Sequence, residues 1–125
     1  MPEQIADLWP PEVGTTTIVP PLAILRRQAA ILGERTQNLL EGKVETLAEG
    51  DQFWQWFYIV APSLDYKYLL FEVKHDVVGY PVTYFVNTIP FQLRSPEEFV
   101  GWLKETLNSD QTKRVVGSLL AQVKA

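Results

Sequence analysis

Phe53-Trp54-Gln55-Trp56-Phe57-Tyr58-Ile59-Val60-Ala61 decides the fold, because a run dominated by aromatic and β-branched side chains favours an extended chain over a helix. Alternation along a strand sends Phe53 and Phe57 to one side and Trp54, Trp56 and Tyr58 to the other, so both faces carry large rings. A strand apolar on both sides belongs inside a sheet, not at its edge.

Working outward, Lys43 to Glu49 reads as a weak preceding strand and Gly50-Asp51 as the turn between the two. Pro62 to Asp65 breaks the run, Tyr66 to His75 forms a third strand, Asp76 to Gly79 turns the chain, and Tyr80 to Val86 forms a fourth. In the third strand, alternation places Leu69, Phe71 and Val73 on one side and Tyr66, Tyr68 and Leu70 on the other. Links this short join antiparallel neighbours, so the four strands are expected to form a meander. Asn87 to Arg94, which contains Pro90, reads as irregular chain leaving the sheet.

Helices flank this β-rich middle. Leu22, Leu25, Ala29, Leu32, Thr36 and Leu39 recur at spacings of three and four, which predicts a long N-terminal helix entered at Pro20-Pro21 and capped by Gly42. Ser95-Pro96-Glu97-Glu98 combines an N-cap serine, a first-turn proline and a glutamate three residues after the cap, a strong signal for a helix start. Phe99, Trp102, Leu103 and Leu107 supply that helix's buried side. Asn108-Ser109-Asp110 ends it and caps a last helix carrying Val115, Val116, Leu119, Leu120 and Val123.

The expected architecture is α+β: a long N-terminal helix, a four-stranded antiparallel meander, and two C-terminal helices packed on one face of the sheet. Residues 1–19 hold three prolines and no Lys or Arg and read as a partly ordered arm, which Ile5, Leu8 and Trp9 would dock onto the body. Residues 20–125 form the single domain. That length supports a hydrophobic core without staples, and 46% hydrophobic against 21% charged residues marks a chain that folds by itself.

The composition argues against several classes of function. With no cysteine there is neither a disulfide framework nor a thiolate metal site, and the reading is a cytoplasmic protein. No apolar stretch approaches the roughly 20 residues of a membrane span, and no export signal is visible. A net charge of -4 with scattered Lys and Arg disfavours nucleic acid as a partner, and the Lys113-Arg114 pair reads as a solvated helix face. Serine catalysis needs a base, and His75 is the sole histidine; Asp76 beside it would point to the opposite face, and Ser95 is explained as a cap. Gly42, Gly50 and Gly79 stand singly at turns, without a phosphate-binding loop. Neither catalytic residues, a metal site nor a cofactor is assigned.

What remains is the aromatic excess. If all the helices lie on one side of the sheet, the other side presents rings with polar tips, the composition favoured at interface centres. The plain alternative is that the N-terminal arm, or a helix on the far side, covers that side and the rings are core. The candidate interface or ligand residues are Trp54, Trp56, Tyr58, Tyr66, Tyr68, Tyr80 and Tyr84. They lead to a non-catalytic protein-binding module, an adaptor, small chaperone or inhibitor whose partner is another protein or a second copy of the chain. The alternative is a small-molecule binding protein with an aromatic-lined cavity between the long helix and the sheet.

Overall fold

A computed structural model describes residues 5–125. The chain order is helix α1 (Pro21–Arg35), strands β1 (Glu41–Glu49), β2 (Gln52–Ala61) and β3 (Tyr66–Asp76), then β4 (Val82–Val86), β5 (Ile89–Leu93), α2 (Pro96–Leu107) and α3 (Asp110–Lys124). All strand pairs are antiparallel, and the sheet order follows the chain order from β1 to β5. Among the described residues the fold is α+β with three α-helices, but with five strands where four were expected.

The fifth strand arises where an irregular exit was expected. Asn87 and Thr88 both have positive φ, 49° and 69°, the pattern of a two-residue hairpin turn whose twist matches its flanking strands. Val82 then pairs with Leu93 and Val86 with Ile89. Pro90 is tolerated because β5 lies at the edge of the sheet, where a missing N–H breaks no ladder.

The first helix stops at Arg35, short of the predicted Gly42 cap. Gln37 and Asn38 take left-handed φ of 51° and 62°, and their amides donate back to the Glu34 and Gly33 carbonyls, the hydrogen-bond pattern of a Schellman ending. Thr36 locks the exit: its Oγ1 donates to the Leu32 carbonyl at 2.8 Å and accepts from the Leu40 amide at 3.1 Å. Gly42 is free to enter β1, where it faces Ala29.

The other two helices start where their caps predict. Ser95 accepts from the Glu98 amide at 3.2 Å, and the Glu98 carboxylate accepts from the Arg94 amide at 3.3 Å. Ser109 caps α3 through the Thr112 amide.

All three helices bury apolar side chains against one face of the sheet. Leu25 and Ala29 of α1 and Phe99 and Leu103 of α2 pack with Phe57, Val73, Val82 and Leu93. Leu119 of α3 packs with Ile59 and Ala61. A bulge lets Phe71 and Leu69 pair with the consecutive residues Phe57 and Tyr58, leaving Leu70 as the extra residue. Strict alternation in β3 therefore fails. Leu70 and Phe71 both pack towards the helices, whereas Leu69, paired with Tyr58, is 45% exposed.

Candidate functional site

The β2 alternation divides the sheet. Gln55, Phe57, Ile59 and Ala61 are buried under the helices, while Trp54, Trp56, Tyr58 and Val60 are half-buried on the opposite face. Among the described residues no helix lies on that face. Register extends it sideways: Leu47 lies opposite Trp54, Glu45 opposite Trp56, and Lys43 opposite Tyr58 on β1, with Lys74, Glu72 and Leu69 their partners on β3. Leu47 is 46% exposed and Phe85 of β4 is 39% exposed, so apolar surface runs beside the rings on both sides.

Charged side chains are laid over this surface. Lys74 Nζ stands 5.3 Å from the Trp54 ring centroid and 5.7 Å from that of Phe85, and Lys67 Nζ stands 4.2 Å from that of Tyr58. Trp56 Nε1 donates to Glu72 Oε2 at 2.7 Å, which fixes the indole across the strand pair. Glu45 accepts from Lys67 at 3.3 Å and lies 3.5 Å from Lys43. Hydrogen bonding from Lys67, aided by its charge, the Tyr58 hydroxyl and Lys43, holds the Glu45 carboxyl below the usual range. The ammonium groups thus lie over the rings on flexible stems.

The seven residues singled out from sequence divide between the two faces. Trp54, Trp56 and Tyr58 come together on the open face. Tyr84 lies on the helix side, stacked on Trp102 at 4.9 Å and on Phe91 at 5.3 Å. Tyr80 packs against the same core, and its hydroxyl donates to the Val19 carbonyl at 2.9 Å. Tyr66 and Tyr68 line a groove beside α3, where Gln111 donates to the Tyr68 hydroxyl. Leu47, Leu69 and Phe85 also belong to the open face; Leu69 joins it only because of the bulge, for which the sequence carries no signal.

The described part of the arm does not cover the open face. Thr16 and Ile18 lie beside Phe53, Gln55 and His75 at one end of the helix-covered face, and Leu8 and Trp9 are exposed. His75 is itself buried: it stacks on Phe53, its Nε2 meets the Gln55 amide nitrogen at 3.2 Å, and its Nδ1 meets the Asp76 carbonyl at 2.8 Å. Both ring nitrogens are satisfied when the proton sits on Nδ1. Among the described residues, no three His, Asp or Glu side chains converge in a way that would hold a metal ion, and no helix is long and apolar enough to cross a membrane.

The space between α1 and the sheet opens as a cleft towards α3, lined by aliphatic side chains, by Phe57 and by the polar or charged Gln28, Arg35, Thr36, Asn108, Thr112 and Lys113. No protein family, curated protein or solved structure matches this chain.

Proposed function

We propose that the protein is a non-catalytic binding module that docks a protein partner on the helix-free face of its sheet. The observation that carries this reading is the row Trp54, Trp56 and Tyr58, half-buried and flanked by exposed Leu47, Leu69 and Phe85 with no element of the described residues over it. Trp and Tyr supply large contact area with few rotors to freeze, which is why such rings anchor interfaces. Lys43, Lys67, Lys74, Glu45 and Glu72 surround them, so the apolar centre has a polar rim of both signs. An adaptor, a small chaperone or an inhibitor would each use such a surface.

Trp54→Ala tests the reading. Sedimentation velocity over a concentration series reports self-association, and pull-down by the wild-type chain against the variant reports another protein. The variant is expected to lose the association while staying folded, with a stability loss below the roughly 3 kcal/mol that marks truncation of a core tryptophan. A larger loss, or association unaffected by Trp54→Ala and Trp56→Ala alike, would remove the open face from the proposal.

A further inference from the structure

On the opposite side of the sheet, the cleft between α1 and α3 has a volume of about 530 Å³. Its accessible apolar wall is made by the half-buried Leu70 of β3, Leu32 of α1 and Val116 and Leu120 of α3, with the buried Phe57 and Ile59 beneath them. Volumes of roughly 300–1,000 Å³ with mostly apolar linings are those of small-molecule sites. Gly117, also on the lining, is exposed at its margin, and a Cβ there would meet no atom within 4 Å.

The charges are one-sided. The cleft's charged lining side chains are Arg35 and Lys113, both exposed at its margin, and no carboxylate accompanies them. Neither forms an ion pair among the described residues. In a chain with 15 acidic and 11 basic side chains, two free cations beside an apolar slot make a local bias against the overall charge.

We propose that this cleft binds a single-chain amphiphilic anion, a long-chain carboxylate. The alkyl chain lies along Leu32, Leu70, Val116 and Leu120, and the carboxylate meets Arg35 and Lys113. Burial of methylene groups drives binding at about 0.8 kcal/mol each, and the guanidinium offers a paired donor fork to the head. The site is separate from the open sheet face, so either can fail without the other.

The test is calorimetric titration of the full chain with dodecanoate below its micelle concentration, with dodecanol as the uncharged counterpart. Saturable binding of dodecanoate with a rise in Tm is expected, and weaker binding of dodecanol. The double variant Arg35→Gln, Lys113→Gln is expected to lose about tenfold in dodecanoate affinity, equivalent to about 1.4 kcal/mol. Gly117→Leu adds a branched side chain at the cleft margin, and since a helix interior favours leucine over glycine the chain stays folded; it is expected to abolish binding. Failure of dodecanoate to saturate, equal affinity for dodecanol, or full binding by Gly117→Leu would each overturn the proposal. So would flotation with phosphatidylglycerol vesicles without uptake of monomeric dodecanoate, or a dimer in solution that buries Leu32 and Val116.

Discussion

Gly42 of β1 lies against Ala29 of α1, so closely that a Cβ on Gly42 would stand 2.6 Å from the Ala29 Cβ and 2.9 Å from its carbonyl oxygen. This contact seats the first helix on the sheet. Both the helix backbone and the strand backbone occupy the space that any larger residue would need, and neither can yield as a flexible side chain would. Gly42→Ala is therefore expected to push α1 away from β1 and to destabilise the fold by about 1–3 kcal/mol, the range for overpacking. Urea denaturation measures the loss; unchanged stability would show that the helix is not held at this distance.

A second expectation concerns the polar row beneath the helices. Thr46 Oγ1 donates to Gln55 Oε1 at 2.6 Å, the Gln55 amide nitrogen meets His75 Nε2, and His75 Nδ1 meets the Asp76 carbonyl, joining β1, β2 and β3. Gln55→Leu keeps the volume roughly constant and leaves Thr46 and His75 without their partner. The expected cost is about 1–3 kcal/mol for the buried His75 nitrogen so orphaned, whereas Thr46, exposed on β1, regains a partner from water. Nitrogen NMR of His75 is expected to show the proton on Nδ1 in the wild-type chain.

Tyr80 makes stability depend on alkaline pH. Burial, assisted by the negative charge of Glu97, raises its hydroxyl pKa above the ordinary value of 10.0. A raised pKa means that the folded state holds the proton more tightly, so the contribution is complete below the unfolded value and is lost as pH rises through it towards the folded value. Stability is expected to fall above pH about 10, and ultraviolet absorbance to show a late ionisation step from Tyr80. Tyr80→Phe should remove the late step and flatten that part of the profile. At neutral pH it should cost about 0.5–1.5 kcal/mol for the lost bond to the Val19 carbonyl.

The local elements were largely legible from the residues. Ser95 and Ser109 mark their helix starts because a cap is chemistry between neighbours, and the aromatic run at β2 announces a strand because its side chains favour a pleated surface. The missed hairpin and the early helix ending have a common cause: each depends on non-glycine residues held at positive φ. Asn87 and Thr88 at the hairpin, and Gln37 and Asn38 after α1, adopt a conformation that sequence alone assigns most readily to glycine.

The sequence by itself determined an α+β chain with one central strand that bears large rings on both sides, since period and side-chain shape act within a few residues. Only the tertiary structure decided which rings are sheltered. The packing of α1, α2 and α3 against the Phe57 face, the bulge that turns Leu69 outward, and the register that sets Leu47 beside Trp54 all arise from contacts between distant segments. A one-residue change in strand pairing exchanges the two faces, so Trp54, Trp56 and Tyr58 parted from Tyr66, Tyr68, Tyr80 and Tyr84 only once the strands were paired.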